Sequence, residues 1–399
     1  MMYLLWLLLP LAAASGWYVA ACSYRARGAG SAIPHECIKG LNYLLNEEQG
    51  KALEIFVGLI EADEDSVEPH FVLAQMFRRR GETDRAIKIH QNLLARTNLS
   101  RAHKLEAMLE LGKDYLKAGL LDRAEGLFKQ VIGEDDNKAN AEAYELLREL
   151  YEQEKDWQSA IESATSFESH TGKSQANIIA HYCCELGEAK AAAGERIDAE
   201  ELARKALDYD SNCARASILL GDLAFEYADY AGAIEHLGKI HHQQSTFLAL
   251  VLPKLRLAFE KIDDRLGYVR FLQEIKHDDL NVSSRLSLID SLIKQGDHKT
   301  AEEIIELELR KPNVPLRIIR LYAQLTKAGN GAAPDPAIEK VIEALDSHLD
   351  KEVSHQCEHC GFQTGGLFWC CPGCHGWGTV KPIDKLSHAP PRQVHYVSN

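Results

Sequence analysis

The run from Tyr3 to Cys22 is apolar but for Ser15 and wholly uncharged, with Leu4, Leu5, Leu7, Leu8, Leu9, Leu11 and Val19 among alanines and Trp6, Trp17 and Tyr18 towards its ends. Twenty helical residues reach about 30 Å, the thickness of a bilayer's hydrocarbon core. The run therefore predicts one N-terminal transmembrane helix. No Lys or Arg precedes it, while Arg25 and Arg27 follow at once, so the positive-inside rule leaves everything after residue 24 in the cytoplasm. A cleaved signal is the rival reading, because Val19-Ala20-Ala21-Cys22 resembles a lipoprotein processing box and Ala12-Ala13-Ala14 a cleavage site. Secretory signals carry a positive n-region, and this run has none.

After a short linker of small residues, Arg25 to Pro34, the pattern changes from continuous to spaced. Small residues return as a ladder, Ala52, Ala86, Ala124, Ala160, Ala199, Ala233 and Ala301, with a step near the ~34 residues of a tetratricopeptide repeat. Five rungs have a small partner twelve positions earlier: Gly40, Ala74, Gly112, Gly187 and Gly221. Two antiparallel helices approach closely only where facing side chains are small, so the pair marks a repeated helix crossing. Phe56, Tyr115, Phe128 and Tyr151 fall at the large positions that fill the groove between helices. Gly81, Gly119, Gly194 and Gly296 each stand five residues before a rung, where the first helix of a pair must end in left-handed backbone geometry. The missing rung is assigned to Gly267, with Phe271 at the large position. Eight helix pairs follow, and a ninth, weaker pair runs from Leu316 to about Leu349, broken between Gly329 and Pro336. Longer steps around Asn98 to His103 and Phe167 to Ser174 read as extended inter-repeat loops. The expectation is an all-α solenoid of tetratricopeptide type.

The first helix of each pair lines the concave surface of such an array, which makes its charged residues a candidate partner-binding groove. Arg78, Arg79, Lys113 and Lys117 come from repeats two and three; Glu142, Glu145, Glu149 and Glu152 from repeat four; Glu188 from repeat five. A groove running from basic to acidic suits a charged peptide segment or a steered protein partner, and solvated helix faces are the plainer alternative. Gly172-Lys173-Ser174 has the tail of a phosphate-binding loop, but Phe167 stands where its first glycine belongs and a helix precedes it instead of a strand. The formal net charge of −14 argues against a general nucleic-acid binder.

Of ten cysteines, Cys22, Cys37, Cys183, Cys184 and Cys213 are scattered through helical pattern and read as small core residues. Five others are packed together: Cys357-Glu358-His359-Cys360, then Cys370, then Cys371-Pro372-Gly373-Cys374. A C-x-x-C pair wraps one metal from a single tight turn, and two pairs complete a tetrahedral thiolate shell suited to zinc or iron. Cys357, Cys360, Cys371 and Cys374 are the candidate ligands. Cys370 could replace Cys371, although Cys-Pro-x-Cys favours Cys371; His359 and His375 are nearby substitutes. Phe362, Leu367, Phe368, Trp369 and Trp377 would cover a module too small to fold by its own core. Two C-x-x-C pairs without a βαβ pattern argue against a thioredoxin-like redox centre, and the closed shell leaves no ligand position for a substrate.

The anchor ending Gly16-Trp17-Tyr18, the first repeat Ile38-Lys39-Gly40-Leu41-Asn42-Tyr43-Leu44-Leu45-Asn46-Glu47 and the terminal knuckles with Phe362, Trp369 and Trp377 resemble the lipopolysaccharide assembly protein B family along the whole chain. The resemblance implies a rubredoxin-type metal module packed against the repeats, with the four metal cysteines at Cys357, Cys360, Cys371 and Cys374. It also implies a non-enzymatic adaptor at the bacterial inner membrane that coordinates lipopolysaccharide synthesis with export. Its implied partners are the lipid A pathway deacetylase, a membrane-anchored ATP-dependent metalloprotease that degrades it, and lipopolysaccharide-sensing and transport membrane proteins; the adaptor could also form a homo-oligomer. The expected layout is an anchor at 1–24, a linker at 25–34, repeats at 35–349, a rubredoxin-like ribbon at 350–385 and a tail at 386–399. A rubredoxin-like electron carrier whose repeats select its redox partner is the alternative, favoured by bound iron with a reversible one-electron couple.

Overall fold

A computed structural model describes residues 38–382 apart from 41, 44–47, 63–66, 135, 276–279, 281, 311–313, 315, 330–339, 341 and 346–354. The expected anchor, linker and C-terminal tail lie outside the described residues, as does most of the expected second helix of the ninth pair. Among the described residues no helix is long and apolar enough to cross a membrane. The chain divides into two compact units, residues 1–146 and 147–399.

The first unit holds α1 (Gln49–Ala62), α2 (Glu68–Arg79), α3 (Thr83–Leu94), α4 (Arg101–Lys117), α5 (Leu121–Ile132) and the first half of α6 (Asn137–Glu154). The rungs Ala52, Ala86 and Ala124 are fully buried. The glycine partners of Ala52 and Ala124 are needed because of what stands four residues after those rungs. A Cβ on Gly112 would lie 2.3 Å from the Phe128 ring, and one on Gly40 would lie 2.9 Å from Phe56. The glycine is thus the space that a fully buried phenylalanine occupies. Gly81 and Gly119 take φ of +79° and +75°, and the next amide reaches back over the turn, Glu82 to Phe77 and Leu120 to Tyr115, at 2.9 Å. The expected loop at 98–103 is shorter than its sequence spacing suggests: α4 begins at Arg101, with Ser100 accepting the His103 amide at its start.

The second unit continues with α7 (Trp157–Thr171), α8 (Ala176–Ala192), α9 (Arg196–Tyr209), α10 (Ala214–Glu226), α11 (Tyr230–Gly238), α12 (Ile240–Gln244) and a 3-10 turn (Ser245–Phe247). Then come α13 (Leu248–Lys261), α14 (Arg265–Ile275), α15 (Val282–Lys294), α16 (His298–Leu309) and α17 (Leu316–Gly329). Residues 167–171 are helical, with Gly172 capping α7 at φ +68°, so only 172–175 form the expected loop there. Lys155, Ala228 and Asp263 adopt φ of +58°, +60° and +55° where other repeats use glycine. Five residues beyond Asp263 stands Tyr268, not Gly267. Tyr268 and Leu272 are fully buried, while Gly267 donates its amide to the Asp264 side chain that starts α14. The seventh rung is therefore Tyr268, a large residue that small-residue spacing could not reveal. The described residues end in a three-stranded antiparallel sheet of order β2-β1-β3, with β1 His355–Cys357, β2 Gln363–Thr364 and β3 Val380–Pro382.

Candidate metal centre

The two C-x-x-C turns are one structure used twice, fourteen residues apart. In the first, the Cys357 amide donates to the Phe362 carbonyl at 2.8 Å and the Gly361 amide to the Cys357 carbonyl at 2.9 Å. In the second, the Cys371 amide donates to the Gly376 carbonyl at 3.0 Å and the His375 amide to the Cys371 carbonyl at 2.8 Å. Gly361 and His375 close the turns at φ of +76° and +54°. Gln356 pairs with Gln363 on one side and Cys370 with Trp377 on the other. Cys370 therefore matches Gln356, a flanking position, and Cys371 matches Cys357.

This repeat brings four thiols to one point. Cys357 and Cys374 lie 3.7 Å apart at Sγ, Cys360 and Cys371 3.6 Å apart, and all four sulfurs fall within 4.8 Å of one another. None is disulfide-bonded. A tetrahedron with metal–sulfur bonds of about 2.3 Å has edges of about 3.8 Å, so the Cys357–Cys374 and Cys360–Cys371 pairs already stand at the separation that one tetrahedral ion requires. Amides point into the shell, from Cys360 to Cys357 Sγ at 3.5 Å and from Gly373 to Cys371 Sγ at 3.4 Å. Burial would raise Cys357, but the Thr379 hydroxyl and the Cys360 and His359 amides bring it down to about 6. Burial and the neighbouring sulfurs push Cys374 up to about 12. Four packed thiols cannot all ionise without a cation between them, and the donor set fits one zinc or iron ion.

The ribbon is fastened to the repeats by its two tryptophans. Trp377, 8% exposed, stands edge-on to Trp157 at 5.8 Å and Tyr182 at 5.5 Å and stacks on His181 at 5.5 Å. Its indole N–H points to Glu152 Oε1 at 3.4 Å. Trp369 packs on Phe247 at 5.1 Å, with the Arg215 guanidinium 5.8 Å from its ring centre. Lys381 reaches across to Gln244 Oε1 at 2.7 Å. Burial first, then Arg215 and Lys381, lower His181 to about 3, so it is a neutral platform. A Cβ on Gly378 would come within 2.9 Å of its Nε2. Cys370 is half-buried beside this seat, where burial and then Glu152 push its thiol up to about 11. Of the five residues expected to cover the module, Phe362 does so. Leu367 and Trp369 instead join the core of the repeats, Trp377 packs on their rings, and Phe368 is 44% exposed.

A profile for the rubredoxin metal binding domain matches residues 355–382. Tetratricopeptide repeat profiles match 70–104, 109–167 and 184–240. Lipopolysaccharide assembly protein B of Escherichia coli (strain K12) is 32% identical over 389 residues, covering 97% of this chain and 99% of that protein. The chain belongs to the lipopolysaccharide assembly protein B family. The protein of that name from Haemophilus influenzae is 27% identical over 405 residues, covering 97% of this chain and 100% of its own. Among solved structures, the C-terminal part of a TPR repeat-containing protein from Cytophaga hutchinsonii aligns with a TM-score of 0.41 at 17% identity, covering 67% of this chain and 98% of that one.

Most charged residues expected in the groove are engaged with the protein itself. Arg78 donates to Asp114 at 2.8 Å and to Glu110 at 2.6 Å. Lys113 bridges Glu110 at 2.8 Å and Glu142 at 2.6 Å. Behind them His90 Nδ1 lies 2.6 Å from Asp114, both fully buried. In the second unit, Glu152 accepts from Arg148 at 2.5 Å and from the Tyr182 hydroxyl as well as from Trp377. Glu188 takes two bonds from Arg215, at 2.7 and 2.8 Å, and Glu149 lies 3.9 Å from Arg148. Arg79, Lys117 and Glu145 are exposed. Sequence reading missed Trp157, His181, Tyr182, Arg215 and Phe247 as the ribbon's seat, because nothing in a helical repeat marks which face meets a module far later in the chain.

Proposed function

We propose that this chain is a regulatory adaptor in lipopolysaccharide assembly, anchored by its N-terminal run in the inner membrane with its bulk in the cytoplasm. In this reading it presents the lipid A pathway deacetylase to a membrane-anchored ATP-dependent metalloprotease and so adjusts synthesis to export, with lipopolysaccharide-sensing and transport membrane proteins as further partners. The relatives' name supports the assembly role. The observation that carries the adaptor reading is the closed thiolate shell fastened to the repeats by Trp369 and Trp377. Four cysteines fill the coordination sphere, leaving the bound ion to hold the ribbon's shape. The repeats supply an extended face for protein segments, and in the first unit Arg79, Lys117 and Glu145 keep their charges in solvent for such a contact.

The test is the cellular level of the deacetylase in a deletion strain, in wild type, and in Cys371→Ser with Cys374→Ser, at matched abundance of the chain. A rise in both the deletion and the double variant is the expected result, and an unchanged level in both overturns the reading. Purified protein carrying iron with a reversible one-electron couple would instead support the electron-carrier alternative, which the rubredoxin-type module keeps in view.

A further inference from the structure

A second set of metal-ligand side chains lies away from the cysteines, where α12 meets α14. His241 and His242 are neighbours on α12, yet their ring centroids are only 3.5 Å apart, although adjacent helical residues ordinarily do not face each other. Glu274, on the last turn of α14, completes the set. One nitrogen from each imidazole and one Glu274 carboxylate oxygen lie within 4.8 Å of one another.

The orientation of His241 gives this cluster its meaning. Its Nδ1 is 2.6 Å from the Gly238 carbonyl oxygen, a contact that requires an N–H and leaves Nε2 of the neutral ring as a bare acceptor. That Nε2 is buried and has no hydrogen-bond partner. The Phe271 ring stands perpendicular to the imidazole at 5.7 Å and limits its rotation. A backbone carbonyl holding one ring N–H while the other nitrogen stays free is the support that metal-ligating imidazoles use. His242 and Glu274 are exposed, so an ion can reach the cluster from solvent.

We propose that His241, His242 and Glu274 form a second divalent metal site, for zinc or a similar first-row ion, with Nε2 of His241 as its buried ligand. Imidazole nitrogen with one carboxylate is a donor set such ions accept. Three protein ligands leave a coordination position for water or for a side chain of a docking partner. The ion would tie α12 to α14. Helix α12 also leads into the ribbon's seat, through Gln244, which accepts from Lys381, and Phe247, which meets Trp369. Occupancy would therefore stiffen the segment on which the cysteine module rests.

The test is cobalt and zinc titration of the detergent-solubilised full chain, free of any polyhistidine tag, in three forms. Wild type should bind two equivalents. The cysteine site should show intense sulfur-to-cobalt charge-transfer absorption, and the second site only weak d–d bands. His242→Ala with Glu274→Gln, both surface changes, should weaken the second equivalent at least tenfold and leave the charge-transfer bands intact. Cys371→Ser with Cys374→Ser should remove those bands and keep the second equivalent. A single equivalent in wild type with the cysteine site filled, or a second equivalent unaltered in the histidine–glutamate variant, overturns the proposal.

Discussion

Replacing Trp377 by alanine should release the ribbon from the repeats without emptying its metal site. The indole is 8% exposed and meets three rings, those of Trp157, His181 and Tyr182. A buried tryptophan covers about 150–250 Å², which at about 25 cal/mol per Å² is worth about 4–6 kcal/mol. Measured tryptophan-to-alanine losses in cores run about 3–5 kcal/mol. Taking about 3 kcal/mol as the lower value, the seated state should weaken by about 100-fold or more. His181 reports on it directly, because it is buried under Trp377, Trp369 and Gly378 and is neutral. Its labelling by diethyl pyrocarbonate, followed by mass spectrometry, should accelerate by about that factor in Trp377→Ala. Trp377→Phe keeps a ring and loses the contact to the Glu152 carboxylate, so it should cost less than the alanine change, about 1.5–3 kcal/mol. Metal content should stay at the wild-type value in both. Wild-type labelling of His181 in Trp377→Ala would refute the seat as described.

Gly112→Val should destabilise the first unit by about 1–3 kcal/mol or more through collision with Phe128, with partial recovery in Gly112→Val/Phe128→Leu, read by thermal unfolding. Asp114→Asn removes the carboxylate that pairs buried His90 and Arg78 and should cost about 3–5 kcal/mol in the same assay. Burial acts to raise Glu110, but Arg78 and Lys113 outweigh it and hold the carboxyl below its ordinary 4.5. Its folded value thus lies below its unfolded one. The stability it contributes is complete above pH 4.5 and is lost as pH falls through the folded value, so Glu110→Gln should flatten the acid limb of the stability–pH curve. Cys370→Ser should retain a full metal complement by elemental analysis, whereas Cys371→Ser should not. Removing the metal with a chelator should alter tryptophan fluorescence while the far-ultraviolet helical signal persists.

The repeat period, the small-residue rungs, the glycine turns and the four metal cysteines were legible in the sequence, because each obeys a local rule: helix crossing distance, left-handed backbone, or ligand spacing. The rule failed at Tyr268, where a large buried residue holds a rung and the neighbouring Gly267 serves the Asp264 cap instead. Cys-Pro-x-Cys already favoured Cys371 over Cys370, and the two knuckles, copies fourteen residues apart, decide it, since the backbone pairing of Cys370 with Trp377 sets its place outside the shell. Position in the repeat placed these charged residues on the first helices, but it did not reveal their partners. Arg78 meets Asp114 and Lys113 meets Glu142 only because successive first helices lie side by side.

By itself, then, the sequence determined the solenoid class and the chemistry of the cysteine site, since both depend on contacts between residues near in the chain. Tertiary structure alone decided where Trp369 and Trp377 land, which charges neutralise one another, and that His241, His242 and Glu274 converge. Those contacts join residues from separate repeats or from opposite ends of the second unit, and no local spacing encodes them.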